Sequence, residues 1–454
     1  MAKIKTKFVC QNCGYNTSKW QGKCPECQTW DSLVEELEQA SKVTTGYLTA
    51  NAAKPRKLIE VQVGSVERLP TGIAEFDRVL GGGIVSGSLV LLGGDPGVGK
   101  STLVLDAGIK FSVAGQRVFY VSGEESEMQT KMRARRIGEA GSELFIMTET
   151  LLSNILLQAE QLQPQVLVID SIQTMYNEEI ASSVGSVGQL RECTAKLLKF
   201  AKTSGIAVLI IGHVTKEGNI AGPKLLEHMV DVVLHFEGER SYSFRVLRAL
   251  KNRFGTTDEA GIFAMTEQGL QEVPNPAALF LQERKQAVAG AVVTACLEGN
   301  RPLLVEFQAL VAQTPFGMPR RTAVGFDYNR VNMLLAILDK RQGIDMGMQD
   351  AYINVVGGLK ITETAADLAV IAALVSSFKN IEIEQDVLVL GEVGLTGEVR
   401  RVPHLAKRLK EAQAVGFKKF IVPAANLSEI GKMSGVFAVD NLEEALRKIF
   451  PRNR

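Results

Sequence analysis

Residues 88–102 read SLVLLGGDPGVGKST, so that a short apolar run leads directly into a glycine-rich loop, a lysine and two hydroxyl side chains. The stretch from Gly94 to Ser101 satisfies the pattern G-x-x-x-x-G-K-[ST] and lies between a predicted strand and a predicted helix, the context that this motif requires. Glycines allow backbone N–H groups to close around phosphates, and the positive end of the helix points at them. The segment therefore predicts a P-loop that binds a nucleoside triphosphate.

The residue types in this loop predict which atoms contact ATP and magnesium. Lys100 neutralises the β- and γ-phosphates, and the hydroxyl of Ser101 holds magnesium. The residues expected to contact ATP are Gly94, Asp95, Pro96, Gly97, Val98, Gly99, Lys100, Ser101 and Thr102. ATP and Mg2+ are therefore the expected cofactors of this part of the chain.

Four further apolar runs follow, with helical patterns between several of them. They are RVFYVS (117–122), VLVID (166–170), IAVLIIG (206–212) and DVVLHF (231–236). This alternation predicts an α/β fold with a mostly parallel sheet. Asp170 ends one run, where a carboxylate can hold magnesium through its water shell. Glu124 follows another run and is the predicted general base that activates water, with Glu125 as the alternative.

The segments G-G-D-P-G-V-G-K-S-T, Y-V-S-G-E-E-S and V-L-V-I-D-S resemble the core of RecA-like ATPases. The resemblance implies that Glu124 is the catalytic glutamate. It also implies that His213, which follows IAVLIIG, senses the γ-phosphate and relays its presence to DNA-binding loops; a structural histidine is the alternative. In RecA-like motors the loops after the positions of Asp170 and His213 grip single-stranded DNA. Lys216 and Lys224 are the predicted phosphate contacts in this sequence.

The pentapeptide Lys251-Asn252-Arg253-Phe254-Gly255 directly follows the strand-like run SFRVLRAL. On an extended segment, a lysine and an arginine two residues apart point to the same side, which suits two cations approaching one phosphate group. A solvated basic turn is the alternative. The pentapeptide resembles a signature of the bacterial RadA (Sms) family. In that family and in the related hexameric DnaB-like helicases, such residues reach a neighbouring subunit's ATP, which implies catalytic roles for Lys251 and Arg253.

Near the amino terminus, the pattern C-x2-C-x10-C-x2-C is formed by Cys10, Cys13, Cys24 and Cys27. Two C-x2-C pairs can place four thiolates around one ion, and four thiolates suit tetrahedral zinc in a closed, structural site. Residues 1–30 are therefore predicted to be a zinc-binding module, followed by a linker over 31–60. The module is either a contact for DNA or a partner, or an inert folding unit.

The composition changes after the segment VPNP at 273–276, which predicts a boundary between an ATPase domain over 61–275 and a second domain over 276–454. The second domain resembles the α+β proteolytic domain of Lon in ALVSSF, LGEVGLTGEVRRV and AVGFKKFIVPAAN. Lon cuts peptides with a serine that a lysine activates. Along that pattern, Ala365 stands at the serine position and Ala406 at the lysine position. The resemblance therefore implies a scaffold for assembly or DNA binding, without protease activity.

The overall composition indicates where the protein works. Of 454 residues, 46% are hydrophobic and 22% charged, and the formal net charge is +1. No apolar run of the sequence reaches the roughly 18 residues that cross a bilayer, and the start MAKIKTKFVCQNCGYN lacks the apolar core of a secretory signal. We therefore expect a cytoplasmic protein with no membrane partner. The isolated Cys193 and Cys296 are predicted to be buried structural thiols.

The order of zinc module, RecA-like core with K-N-R-F-G and Lon-like domain is similar to the RadA family over nearly the whole chain. The resemblance implies a homohexameric ring with ATP between subunits, acting as a DNA-dependent ATPase and translocase. The implied task is branch migration of recombination intermediates in homologous recombination and repair, on single-stranded or branched DNA, with the RecA recombinase as a candidate partner. Two alternatives are a RecA-like regulatory ATPase resembling KaiC and, least favoured, an ATP-dependent peptidase.

Overall fold

The chain forms two compact units, Met1–Glu272 and Val273–Arg454. The computed structural model describes residues 5–10, 15–26, 28–38, 67–180, 182–212, 225–238, 244–266, 269–273, 286–315, 317–431 and 433–451. Across these ranges, no helix is both long enough and apolar enough to span a membrane.

A small antiparallel sheet lies near the amino terminus. Strand β1 (Lys5–Cys10) pairs with β2 (Asn16–Thr17) on one side and with β3 (Leu33–Glu38) on the other. Cys10 and Cys24 are buried with Leu33 in one small cluster. A cluster of this size supplies little burial energy, so a module built on it gains stability from a bound metal.

The main sheet of the first unit follows a short antiparallel ribbon, in which β4 (Arg68–Leu69) and β5 (Ile84–Val85) flank helix α1 (Ala74–Leu80). In the described part of the chain, its strands are β6 (Leu89–Gly94), β7 (Val118–Ser122), β8 (Leu144–Thr148), β9 (Val166–Asp170), β10 (Ala207–Ile211), β11 (Val232–Glu237), β12 (Phe244–Asn252), β13 (Ala260–Thr266) and β14 (Gly269–Glu272). Their spatial order is β14-β13-β12-β11-β6-β10-β9-β7-β8. The pairs from β11 to β8 are parallel, and those from β11 to β14 are antiparallel. The prediction of a mostly parallel sheet is confirmed.

Helices cover both faces of the parallel part. They are α2 (Lys100–Val113), α3 (Glu127–Ile137), α4 (Leu152–Leu162), α5 (Val187–Ser204) and α6 (Leu225–Met229). Alternate residues of β6 face opposite layers: Val90 and Leu92 pack in the core that includes α1 and α2, whereas Leu89 and Leu91 pack in the core that includes α4 and α5. Burial on both faces explains why the predicted strands are continuous apolar runs.

The second unit is built on a mixed sheet with the order β17-β18-β16-β15-β19-β22-β23. The strands of this unit are β15 (Ala291–Glu298), β16 (Arg301–Gln313), β17 (Arg321–Val324), β18 (Gln349–Val355), β19 (Val387–Val389), β20 (Glu392–Val393), β21 (Val399–Arg400), β22 (Lys419–Pro423) and β23 (Val436–Val439). Its helices are α7 (Tyr328–Gln342), α8 (Asp367–Lys379), α9 (Leu405–Val415), α10 (Leu427–Ile430) and α11 (Leu442–Ile449). Helix α8 is buried from Asp367 to Ser376, so it forms the centre of this unit's core.

Ala365 and Ala406 are the residues that the resemblance predicts at the positions of Lon's nucleophile and base. Ala365 is buried in the short 3-10 turn Thr364–Ala366, and Ala406 is exposed on α9. Arg408, two residues further on, is fully buried and donates hydrogen bonds to both carboxylate oxygens of Glu363 at 2.8 and 2.7 Å. An ion pair between a buried arginine and a partly buried glutamate therefore lies next to the turn that carries Ala365. Elsewhere, the predicted burial of Cys193 and Cys296 is confirmed.

A second buried ion pair fixes the start of α8. The Asp367 carboxylate is completely buried, and it accepts hydrogen bonds from the Arg330 guanidinium of α7 and from the backbone N–H of Val393. Burial raises the pKa of Asp367, and the bonds from Arg330 and Val393 oppose that rise. The pKa of Arg330 is raised chiefly by its hydrogen bonds to Asp367. The pair therefore stabilises the guanidinium cation and offsets only part of the burial cost of the Asp367 carboxylate.

Replacing Arg330 with methionine should destabilise the second unit, because it leaves the Asp367 carboxylate buried without its cation. We expect a loss of about 3 kcal/mol in the free energy of unfolding. Urea unfolding of the full-length chain measures this loss. Arg341→Met is the matched control, since Arg341 lies exposed on the same helix. Equal stability of the two variants would contradict the stabilising role of the Arg330–Asp367 pair.

Candidate active site

The P-loop lies where buried strand β6 meets helix α2. Gly94 has a φ of 152°, and a Cβ at this position would lie 2.2 Å from the carbonyl oxygen of Phe236. Glycine is therefore required for β6 and β11 to approach at the start of the loop. Gly99 has a φ of 112° and immediately precedes α2, whose first residue is Lys100. The sequence pattern and the local geometry thus agree at both glycines.

Lys100 points back into this loop. Its side chain is 4% exposed, and its Nζ donates hydrogen bonds to the carbonyl oxygens of Gly94 at 2.7 Å and Asp95 at 2.9 Å. Burial lowers the pKa of Lys100 to about 8, against the opposing charges of Asp170, Asp95 and Glu124. The ammonium group therefore lies in a low-dielectric position among three carboxylates, where an anionic phosphate would stabilise its charge.

Asp170 lies at the carboxyl end of β9, on the same edge of the sheet as the P-loop. Tyr120, from the neighbouring strand β7, donates a hydrogen bond from its hydroxyl to Oδ2 of Asp170 at 2.6 Å. Burial raises the pKa of Tyr120 well above its usual value, so the hydroxyl remains a donor. This bond orients the carboxylate of Asp170. The oxygen donors Asp170 and Ser101 fit the chemistry of magnesium, which prefers such ligands.

The two adjacent glutamates after β7 have different partners. Glu124 is exposed, and its Oε1 accepts a hydrogen bond from the hydroxyl of Ser171, the residue after Asp170. Glu125 forms an ion pair with Arg133 of helix α3, and its backbone N–H donates to the Ser122 hydroxyl at 3.0 Å. Glu124 therefore lies beside the predicted magnesium ligand, whereas the carboxylate of Glu125 is used in an ion pair.

Lys251 and Arg253 lie on the opposite edge of the sheet from the P-loop. Lys251 pairs with Val233, which pairs with Leu91, and the backbone N–H of Arg253 donates to the carbonyl oxygen of Asp231 at 3.1 Å. Asp231 in turn is level with Leu89, the first residue of β6. At about 3.3 Å per residue, Leu89 lies roughly 17 Å from Gly94 along the strand. Lys251 is level with Leu91, roughly 10 Å from Gly94 along the strand, and lies two strands away from β6. Both basic side chains are bonded to groups away from the P-loop, so neither reaches the phosphate site of its own subunit.

Both basic residues are held locally. The Lys251 Nζ donates to the carbonyl oxygens of Glu227, His228 and Val230 at 2.9, 3.2 and 2.8 Å, around the carboxyl end of α6. Its pKa is lowered by burial and by the nearby charge of Arg253. The guanidinium of Arg253 lies 3.5 Å from Asp231 and remains 54% exposed.

Several predicted site residues lie outside the described residues. They are His213, Lys216, Lys224, Cys13 and Cys27. Of the predicted zinc ligands, Cys10 and Cys24 are both buried in the same cluster, and Cys10 Sγ lies 3.2 Å from the Ser32 hydroxyl. This arrangement fits a site that brings both pairs of thiolates to one ion.

Sequence reasoning missed three residues that organise this site. Tyr120 and Ser171 contact the predicted magnesium ligand and the predicted base, and Asp231 joins the basic edge to β6. One feature of the sequence could have indicated the role of Asp231. Asp231 is a carboxylate at the start of the apolar run DVVLHF, where a buried charge needs a partner.

Three family models match parts of the chain. Residues 54–219 match an AAA domain, residues 8–35 a rubredoxin metal binding domain, and residues 310–426 subunit ChlI of Mg-chelatase. The fold and site define the class: an ATP-hydrolysing enzyme with a RecA-like P-loop core, an amino-terminal zinc ribbon and a carboxyl-terminal Lon-like domain.

Curated relatives match nearly the whole chain. DNA repair protein RadA of Halalkalibacterium halodurans is 51% identical over 451 residues, covering 98% of this chain and 99% of the relative. DNA repair protein RadA of Bacillus subtilis is 51% identical with the same coverage, and that of Pseudomonas aeruginosa is 49% identical, covering 99% and 100%. The chain belongs to the RadA family.

Among solved structures, a KaiC-like protein from Pyrococcus horikoshii matches 46% of this chain and 100% of its own, with 21% identity and a TM-score of 0.39.

Removing the hydroxyl of Tyr120 should weaken the response to magnesium, because the Asp170 carboxylate loses the donor that orients it. For Tyr120→Phe we expect a roughly tenfold higher magnesium concentration at half-maximal ATP hydrolysis. Titration of magnesium at saturating ATP measures this value. Tyr176→Phe is the control, since Tyr176 is held through backbone bonds to Thr150 and Leu152. An unchanged magnesium requirement in Tyr120→Phe would contradict this role.

The affinity for ATP should fall as pH rises through the pKa of Lys100, about 8, because only the ammonium form neutralises phosphate. The last ionisation of a phosphate group has a pKa of about 6, so the charge of ATP changes little between pH 7 and pH 9. We expect roughly tenfold weaker binding at pH 9 than at pH 7. Equilibrium titration with ATP measures it. In Lys100→Arg, whose guanidinium stays charged, affinity should be the same at both pH values; a flat profile in the unmodified protein would contradict the assignment.

Proposed function

We propose that this protein is a DNA-dependent ATPase that moves along DNA as a homohexameric ring, with ATP bound between subunits. The observation that carries the proposal is the position of Lys251 and Arg253 on the opposite edge of the sheet from the P-loop. Two cations that cannot reach their own phosphate site, yet remain partly exposed, suit a phosphate site on a neighbouring copy. Closed rings result when such head-to-tail contacts repeat around an axis.

The residues at the P-loop edge have separate roles in ATP hydrolysis. Residues 94–102 bind the phosphates, and Lys100 neutralises their charge. Magnesium, when bound by Ser101 and Asp170, supplies positive charge at the phosphate oxygens. Glu124 accepts a proton from the attacking water as its oxygen bonds to the γ-phosphorus, and the bond from the γ-phosphorus to the leaving ADP oxygen breaks. Ser171 and Tyr120 hold Glu124 and Asp170 in position.

The neighbouring subunit supplies further positive charge at the phosphate site. Arg253, with Lys251, stabilises the negative charge that develops on the transferred phosphoryl group. A subunit alone would therefore bind ATP and hydrolyse it slowly. Hydrolysis in the ring depends on how well the basic edge of one subunit meets the P-loop edge of the next.

The segments after β9 and β10 are the proposed contacts to DNA, since both strands end at the P-loop edge. His213 follows β10 and is proposed to sense the γ-phosphate, with Lys216 and Lys224 contacting DNA phosphates. Hydrolysis then changes how DNA is held. The proposed task of this movement is branch migration on single-stranded or branched DNA during recombination and repair, and the names of the relatives, which are DNA repair proteins, support the repair role. The RecA recombinase is the proposed partner.

The remaining domains have supporting roles in this proposal. Zinc held by Cys10, Cys13, Cys24 and Cys27 folds the amino-terminal module. The Lon-like domain is a scaffold for assembly or DNA binding, because Ala365 and Ala406 supply neither a nucleophile nor a base. No cleavage of casein is expected in the presence of ATP.

ATP hydrolysis should increase strongly on addition of single-stranded DNA, and Arg253→Ala should lose this increase while retaining ATP binding. We expect a fall in DNA-stimulated turnover of about a thousandfold, the usual contribution of such an arginine. Steady-state turnover and equilibrium ATP binding measure the two effects. Arg136→Ala, which removes an exposed arginine from α3, is the matched control. Equal turnover with and without DNA would instead favour a regulatory ATPase.

Mixing two inactive variants tests whether the arginine acts on a neighbour. Lys100→Ala lacks a working P-loop but keeps Arg253, and Arg253→Ala has the opposite defect. A mixture should regain activity, because by random assembly roughly a quarter of the interfaces combine both intact halves. A mixture that stays inactive would show that Arg253 does not act across the interface.

A further inference from the structure

Asp231 lies at the junction between the basic edge and the P-loop strand. Its carboxylate is 2% exposed and accepts hydrogen bonds at Oδ2 from the backbone N–H of Leu89 at 3.1 Å and from Lys202 Nζ at 2.7 Å. The Arg253 guanidinium lies 3.5 Å from Oδ1. The backbone of Asp231 adds two bonds: its N–H donates to Leu89, and its carbonyl accepts from Arg253. One residue thus contacts both the first residue of β6 and the proposed trans-acting arginine.

The neighbours of Arg253 in the pentapeptide are firmly anchored. Asn252 donates to the Leu80 carbonyl at the end of α1 and accepts from the N–H of Phe254. The Phe254 carbonyl accepts from Arg68 at 2.7 Å, and its ring lies under Lys202 at 5.8 Å. Arg253, by contrast, is more than half exposed, and its contact with Asp231 is the longest at that carboxylate. The backbone of the pentapeptide is therefore fixed, whereas the guanidinium of Arg253 can move away from Asp231.

Charge at this junction favours an incoming anion. Lys202 and Arg253 share the single negative charge of Asp231, and Lys251 adds a further cation whose pKa the charge of Arg253 lowers. Glu227 is a second carboxylate near Lys251, so these three cations face two carboxylates and the group keeps one net positive charge. A phosphate group of a neighbouring subunit would compete with Asp231 for the guanidinium.

We propose that Asp231 is a positioning residue, which holds Arg253 for the neighbouring subunit and ties its position to the P-loop strand of its own subunit. This inference rests on the proposed action of Arg253 across the interface. Strand β6 is hydrogen-bonded on both sides, to β10 and β11, so a shift at Gly94 is carried to Leu89 by a stiff element. When Leu89 moves, Asp231 moves with it and shifts the position of Arg253. The nucleotide bound in one subunit thereby sets the position of the arginine that enters the site of the neighbouring subunit.

The variant Asp231→Asn tests the proposal, because it keeps the shape and an acceptor for the N–H of Leu89 but removes the charge that holds Arg253. We expect kcat for DNA-stimulated ATP hydrolysis to fall by roughly a hundredfold, as for a misplaced catalytic group. ATP affinity and KM should change little. A defect in KM or in ATP affinity alone would overturn the proposal.

Mixing distinguishes positioning of Arg253 from a structural role in β6. Asp231→Asn mixed with Lys100→Ala should regain activity, since the first variant keeps its P-loop and the second keeps a correctly held arginine. If Asp231 only supported β6, the P-loop of Asp231→Asn would be impaired and the mixture would stay inactive, which overturns the proposal. The mixture of Arg253→Ala with Lys100→Ala runs in parallel. If this control mixture also stays inactive, the proposed function itself is overturned.

Two further variants keep the test decisive. Asp231→Glu retains the charge and moves the carboxylate by one methylene, so it serves in the same assays if Asp231→Asn unfolds. Asp231→Asn combined with Arg253→Ala should be no slower than Arg253→Ala alone, because one acts through the other. An additional loss of turnover in this double variant would show that Asp231 acts independently of Arg253.

Discussion

Strand β6 is the element on which the rest of the nucleotide site depends. It is buried on both faces and pairs in parallel with β10 on one side and β11 on the other. At its carboxyl end, the missing side chain of Gly94 allows the Phe236 carbonyl to approach and the phosphate-binding loop to begin. At its amino end, Leu89 is bonded to Asp231. One straight element therefore fixes the distance between the phosphate loop and the basic edge.

Much of this arrangement could be predicted from contiguous sequence. The P-loop, the parallel strands and Asp170 at the end of β9 follow from motifs and apolar runs that are local in the chain. The bonds from Tyr120 to Asp170 and from Asp231 to Leu89 join residues 50 and 142 positions apart, so strand order and register had to be known first. Adjacent Glu124 and Glu125 are chemically identical in sequence. Only the packing of α3 shows that one of them pairs with Arg133.

The second unit shows how a fold can persist while its local chemistry changes. The loop carrying Ala365 is flanked by Glu363 and Asp367, and each carboxylate is paired with an arginine from a different helix. Buried pairs add little net stability compared with apolar packing, but they penalise alternative arrangements because a lone buried charge is costly. Here they join α7 and α9 to one loop. The resemblance in sequence predicted the fold, whereas these pairs required the spatial position of Arg330 and Arg408.

The geometry of a parallel sheet supports the proposal that two subunits build one catalytic site. All groups that follow the carboxyl ends of the strands can converge on one nucleotide, and here they include three carboxylates around Lys100. The phosphates of ATP bring further negative charge to this edge, which additional cations would stabilise during phosphoryl transfer. The chain places Lys251 and Arg253 towards the amino ends of the parallel strands, and Asp231 contacts both Arg253 and Leu89 of β6. A sheet polarised in this way has a phosphate-binding edge and a basic edge, and in the proposed ring the two edges meet because copies assemble head to tail.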